Sequence, residues 1–362
     1  MSDVDKSSAT PHTEDTSGPQ TSDMPGVEPV LVADMDEEPT TAGVGKPASE
    51  IVGRSPMQLA WLRLKRDRTA KVTGALIVLM LVAAYGAPLW ALVYGYDAYD
   101  QNPDKLDGSA IPLGVLGGVS SEHWLGVVPG NGQDVLMTLL YGIRTSVSIA
   151  IVSAIVVVAI GAVIGAVSGY VGGWVDAVIS WFIDVMLSFP FLIFALAIVP
   201  IVTNLILGGP GARPLWLSST MLIVTFMVFF WMNTARLVRG QVLSLREREF
   251  VEAARASGAG LGHIVFKQLL PNVWAPILVS FSLMVPALVA SEAYLAFLGI
   301  GVGEPHPDLG RLVSLAVGGV KAQQVGAWFL MMLSGGTILL LVLTFNMFGD
   351  AVRDALNPKS HK

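Results

Sequence analysis

Asp184 and Glu292 are the side chains whose placement first suggests chemistry, because each interrupts a long apolar run. An ionisable group at membrane depth is costly and usually faces a bundle interior or a watery cavity. Glu292 therefore divides between lining a path for a solute and making a hydrogen bond between helices. Asp184 leans to the structural role: it lies about two turns before Pro190, whose kink frees a backbone carbonyl that needs a partner. Other chemistries lack their parts. The chain has no cysteine and five scattered histidines, which excludes disulfides and thiolate metal sites. Neither His-Glu-x-x-His nor Gly-x-Ser-x-Gly occurs, so an intramembrane hydrolase has no visible metal motif or nucleophile. No Gly-x-x-x-x-Gly-Lys-Ser/Thr loop occurs either, since Gly45-Lys46 is followed by Pro47. ATP would have to be bound by another chain.

The elements that hold these residues follow from composition. Of 362 residues, 53% are hydrophobic and 14% charged, the balance of a polytopic membrane protein. About 20 apolar residues cross the hydrocarbon core as a helix. Stretches of that kind run near Val72–Tyr94, Thr145–Tyr170, Trp181–Leu207, Leu215–Ala235, Trp274–Gly299 and Ala327–Gly349. Residues 1–50 carry eleven acidic side chains against Lys6 and Lys46. Such a stretch buries too little apolar surface to offset its ordering entropy and is expected to be disordered. Met1–Ser22 has no basic start and no apolar run, so targeting is expected to come from the internal spans.

Orientation follows the basic residues, which concentrate in short cytoplasmic loops. Arg63, Lys65, Arg66, Arg68 and Lys71 precede the first span, and Arg236, Arg239, Arg246, Arg248, Arg255 and Lys267 fill the loop after the fourth. Both are expected inside, and six spans then place both termini in the cytoplasm. The resulting map has a disordered acidic tail (1–55), a basic juxtamembrane segment (56–71), a first transmembrane helix (72–94) and an extracytoplasmic loop (95–144). A core of five transmembrane helices (145–350) contains a cytoplasmic loop (236–273), and a short tail (351–362) follows. The first basic cluster suits anionic lipid headgroups, although its role in topology accounts for it.

Gly161, Gly165, Gly169 and Gly173 lie at four-residue spacing, which aligns them on one helix face and lets another backbone approach. That contact is expected within the subunit or with a partner subunit. The cytoplasmic loop is more telling. Phe250, Ala253, Ala254 and Ser257 share a helical face of one bulky and several small side chains, while Glu247, Arg248, Glu249 and Arg255 are expected to stay solvated. Such a face suits docking into a groove of another protein. Gly258 fits the left-handed end of that helix, and Pro271 is expected to stop the next one.

Glu252-Ala253-Ala254, Gly258 and Leu270-Pro271 resemble the EAA loop of ABC importer permeases, with Gln268 where the pattern has isoleucine. The resemblance extends from about Leu64 to Pro358 and is greatest to the C-type permease subunits of dipeptide and oligopeptide importers. His123-Trp-Leu-Gly126, Gln133-Asp-Val-Leu136 and Leu139-Leu-Tyr-Gly-Ile-Arg144 carry it. So do Asp184 to Pro190, Ala235-Arg-Leu-Val-Arg239, Ala293 to Val302 and Asn346 to Leu356. Val127-Val128 replace a Thr-Asp pair, and Gln133 an arginine. Leu333-Ser-Gly-Gly336 resembles an ATPase signature but lies inside a span with no nucleotide site beside it.

The resemblance implies an all-α membrane protein with six transmembrane helices and the type I ABC importer permease fold, without catalysis or cofactor of its own. It implies a second, B-type permease, two cytoplasmic ATPase subunits or domains that bind ATP and Mg, and an extracytoplasmic substrate-binding protein. It places the chain in the lipid bilayer of the bacterial plasma (inner) membrane, with no nucleic-acid partner. Phe250, Glu252, Ala253, Ala254, Gly258, Leu270 and Pro271 are then the ATPase-coupling residues, and Glu292 is the candidate for the translocation path. Peptides are the expected cargo, with nickel chelates or glutathione as alternatives. A secondary transporter would also have charge-poor spans, but no inverted halves with matching broken helices are visible.

Overall fold

A computed structural model describes residues 56–207 and 214–357. The acidic tail, the 208–213 connection and the last five residues lie outside that range. All of the extended elements described are helices.

The chain begins with α1 (Pro56–Arg66) and α2 (Arg68–Tyr85). The carboxylate of Asp67 accepts the Ala70 N–H at 2.9 Å and starts the second of these. The first span, expected as one helix over 72–94, is broken at Gly86, after which α3 (Ala87–Tyr94) begins with a proline in its first turn. Pro88 has no N–H to continue the ladder.

After a long connection, α4 (Val135–Val171) runs for 37 residues. It begins well before the expected Thr145. The Asp134 side chain caps it through the Met137 N–H at 2.9 Å, and Arg144 sits inside the helix because one charge does not end a hydrogen-bonded ladder.

The third span, expected as one helix over 181–207, is instead α5 (Gly173–Ser188) and α6 (Phe191–Leu207), bent by 83°. Phe189 is extended because Pro190 follows it. Next comes α7 (Leu215–Leu245), which passes the expected Ala235 and carries Arg236 and Arg239. Then follow α8 (Glu249–Ala256) and α9 (Leu261–His263), continued by a π turn at Ile264–Leu269 and a 3-10 turn at Leu270–Asn272. The chain finishes with α10 (Trp274–Phe297), α11 (Leu309–Lys321) and α12 (Ala327–Leu356). The short amphipathic α11 was not expected. It carries Arg311 and Lys321, so a search for charge-free runs passes over it.

Among the described residues α2, α4, α7, α10 and α12 are long and apolar enough to span a membrane, and the bent α5–α6 pair makes a sixth if counted as one span. The expected number of spans holds on that count. Their shared core includes Val157 of α4, Phe226 and Met232 of α7, Leu288 and Leu295 of α10 and Leu341 of α12. Gly161, Gly165 and Gly169 of the expected glycine face pack within the subunit, against α7, whereas Gly173 begins α5 beyond the break at Gly172, and a Cβ there would meet nothing within 4 Å. A Cβ on Gly161 would stand 2.5 Å from the Trp231 carbonyl oxygen, and one on Gly169 would stand 2.9 Å from that of Arg239. Gly165 lies against the Ala235 carbonyl in the same way. Two long helices are thus held backbone to backbone.

Candidate functional site

The loop between α7 and α10 has its own small core. Val251 of α8 is fully buried, with Val242, Ile264, Val265, Leu269 and Val273. Ala254, one turn on, is half-buried and packs with them. The outward surface therefore differs from the expected face. Glu252, Ala253 and Ser257 are exposed and Phe250 lies at the edge, whereas Ala254 faces the loop core. Glu249 and Glu252 sit in the first turn of α8, where negative charge complements the helix dipole.

Gly258 has φ of 78°, the left-handed conformation expected of it. The Ala259 N–H returns to the Ala254 carbonyl at 3.0 Å, which satisfies an end carbonyl and turns the chain. Leu270 is half-buried against the loop core and Pro271 is exposed. Pro271 sits in the 3-10 turn and does not end the helical path outright: the chain regains regular helix at Trp274. At Gln268, where the resemblance leads one to expect isoleucine, the amide nitrogen lies 3.5 Å from His263 Nε2 and the backbone carbonyl accepts from Asn272 at 2.6 Å.

A set of polar contacts fastens this loop to the end of α4 and the adjoining part of α7 to α5. Arg255 is exposed, as expected, yet it has a partner. Its Nε donates to the Tyr170 hydroxyl at 3.1 Å and its guanidinium lies over the same ring, 4.9 Å from the centroid. Arg246 donates to the Gly169 carbonyl at 3.3 Å. Arg239 grips Asp176 through two hydrogen bonds of 2.5 and 2.6 Å, and the Ser168 hydroxyl donates to the same carboxylate at 2.5 Å. Asp184 pairs with Arg236; its carboxylate does not serve the kink at Pro190 as expected. Sequence reasoning missed Tyr170 and Asp176 as members of this site, and gave Arg246 no partner. The run of arginines after the fourth span was the available signal, but their partners lie far away in sequence.

At the opposite end of α4, the segment after α3 is tied down by a buried pair. His123 Nδ1 lies 2.9 Å from the Asp134 carboxylate, and both side chains are fully buried. The Tyr94 hydroxyl donates to Asp134 at 2.9 Å and accepts the Trp124 N–H at 3.0 Å. Val127 and Val128 are buried as well, so the positions that depart from the resembled pattern serve as packing.

Glu292 is fully buried in α10. Ser146 of α4 and Asp308, whose carboxylate caps α11, lie near it, but neither Glu292 carboxylate oxygen has a hydrogen-bond partner among the described residues, so the expected bond between helices is not formed. Nothing in this arrangement opens the group to a surface of the subunit. The loop thus combines a small exposed face on α8, a buried backing, and hydrogen-bonded links to the end of α4.

Residues 161–362 match the family described as binding-protein-dependent transport system inner membrane component, and residues 55–112 match the N-terminal TM domain of oligopeptide transport permease C. The oligopeptide transport system permease protein OppC of Escherichia coli K12 is 35% identical over 310 residues, spanning 86% of this chain and 93% of the relative. The dipeptide transport system permease protein DppC of Alkalihalophilus pseudofirmus is 34% identical, with 86% and 93% covered. The glutathione transport system permease protein GsiD of Pectobacterium atrosepticum is 33% identical, with 84% and 92% covered. On the extent of these matches, this helical, multi-span chain belongs to the inner membrane component family of binding-protein-dependent transport systems.

Proposed function

We propose that the chain is one permease subunit of an ATP-driven importer of dipeptides or oligopeptides in the bacterial plasma membrane, forming the translocation path with a B-type permease. Two ATPase subunits or domains, carrying ATP and Mg, dock on the surface offered by Phe250, Glu252 and Ala253. Ala254 and Leu270 brace that surface from inside, and Gly258 and Pro271 shape the chain around it. A substrate-binding protein delivers cargo at the opposite face. The observation that carries this reading is α8: its outward side is small and exposed, while its inward side is locked by Val251 and Arg255 to the ends of α4 and α7. A push on α8 would reach both long helices without being absorbed by a slack loop. The GsiD likeness favours glutathione, itself a tripeptide, as the second reading of the cargo.

Recovery of ATPase subunits on the tagged chain, together with ATP-dependent uptake of a labelled tripeptide by vesicles holding the complex, tests the proposal. A chain recovered without any ATPase would refute it. Orientation is checked separately. A tag after Lys105 is expected to react with an impermeant reagent in intact cells, and a tag after Gly258 is expected to react only after permeabilisation. The reverse pattern would invert the topology.

A path role for Glu292 requires that its carboxylate be uncovered during transport. Its interior position leads us to expect that Glu292→Gln assembles normally and keeps uptake within about twofold of wild type, since an isosteric change within a packed interior disturbs little. A loss of uptake with assembly intact would instead place Glu292 in the path.

A further inference from the structure

We infer that a cleft beside the first turns of α4 binds the terminal carboxylate of a peptide, with Arg144 as its cationic anchor. The inference rests on the peptide-importer reading and names a cargo contact that the reading lacks. The cleft, of about 410 Å³, is lined by Tyr99, Tyr141, Arg144, Thr145, Ser148 and Ser219. Its size falls among sites for small ligands, which run from about 300 to 1,000 Å³.

Arg144 is the charged residue that precedes the uncharged run Thr145–Tyr170, which puts it at the border of the apolar zone. It is half-buried, and its guanidinium rests on the Tyr85 ring, 5.7 Å from the centroid. No carboxylate stands within ion-pair distance of it among the described residues. Asp97, in the segment after α3, accepts the Ala98 N–H at 2.7 Å and makes no ion pair with Arg144. Other polar groups of the wall are already engaged: the Ser148 and Tyr85 hydroxyls meet at 2.6 Å, and the Thr145 hydroxyl donates to the Tyr141 carbonyl at 3.0 Å.

A partly desolvated cation with no counter-ion costs free energy until an anion arrives. Guanidinium presents its N–H donors in a planar fork that matches a carboxylate two bonds at a time. Ser219 lines the same cleft from α7 and brings a hydroxyl to its wall. The aromatic walls from Tyr99 and Tyr141, whose ring centroids are 5.8 Å apart, give a peptide side chain an apolar surface. A lipid phosphate has related anion chemistry, and the experiment separates the two.

The assembled complex is placed in nanodiscs of purely zwitterionic lipid and, separately, of lipid containing phosphatidylglycerol. Binding of a fluorescent tripeptide is measured in its free-acid and C-terminal amide forms. The free acid is expected to bind about tenfold or more tighter than the amide in both lipids, the scale of a charge-assisted pair. Arg144→Gln abolishes the preference, and Arg144→Lys keeps its sign. Ser219→Phe, which fills the cleft from α7 while leaving Arg144 in the chain, weakens the free acid and serves as the test if the Arg144 variants fail to assemble. Equal binding of acid and amide by wild type, a preference that survives Arg144→Gln, or no saturable binding at all overturns the site. A preference that vanishes only with phosphatidylglycerol assigns the cleft to lipid and overturns it too. None of these outcomes touches the importer reading, which stands or falls on ATPase recovery and ATP-dependent uptake.

Discussion

Ala253→Trp is expected to abolish ATP-driven uptake while leaving the subunit folded in the membrane. Ala253 is exposed on α8, one turn from Phe250 and beside Glu252, and its small side chain lets the helix backbone approach a partner closely. An indole there projects away from the loop core and collides only with whatever docks on that face. The expected result is normal membrane insertion, loss of ATPase subunits on purification, and uptake at background. Ala254→Trp has a different cause of failure. Its side chain points into the cluster around Val251 and Val265, so the indole overpacks the loop and costs about 1–3 kcal/mol or more locally. Proteolysis of the loop separates the two: Ala254→Trp becomes sensitive there, and Ala253→Trp stays resistant. Glu252→Gln, which removes charge without adding bulk, is expected to reduce association by only a few-fold, as exposed charge contacts usually do. If Ala253→Trp retained full association and full uptake, α8 would be a connector and the proposed coupling would lose its basis.

Membrane spans were legible because burial in lipid demands long uncharged runs, and that demand is written in composition alone. Their ends were less legible. Ionised side chains end an apolar run but need not end a helix, so Arg144, Arg236 and Arg239 lie inside α4 and α7. Pro190 was visible and its kink anticipated, yet the size of the bend depends on what α5 and α6 pack against. The loop between α7 and α10 was read in outline from Gly258 and the small residues around it. Which alanine faces out was not readable, because a helix of eight residues offers two plausible faces until Val251 is seen to be buried. Partners distant in sequence were beyond reach: nothing near Asp176 indicates Arg239, and nothing near Tyr170 indicates Arg255.

The glycine face of α4 bears the other large effect, and Gly165→Val is expected to prevent assembly altogether. A Cβ at Gly165 points at the Ala235 carbonyl, and at 3.0 Å it also meets the Ala235 carbonyl carbon and Cα. Backbone cannot rotate aside as a side chain can. Valine must therefore force α4 and α7 apart, and with them Gly161 and Gly169, which touch α7 one turn to either side. Overpacking in a well-filled interior costs about 1–3 kcal/mol and more where nothing yields, so recovery of the folded subunit should fall by about tenfold or more. Gly165→Ala should already be defective, since its single added carbon is the one that collides. Ala235→Gly should not rescue either variant, because the obstacle is the carbonyl of residue 235 and not its methyl group. Gly240→Ala is the control: a Cβ there meets nothing within 4 Å, and replacing a helical glycine by alanine favours the helix by about 0.5–1 kcal/mol. The measurement is detergent-stable recovery of the tagged subunit with its partners. Wild-type recovery of Gly165→Val, or rescue by Ala235→Gly, would show that α4 and α7 are not in backbone contact, and the rigid pair through which α8 is proposed to act would have to be abandoned.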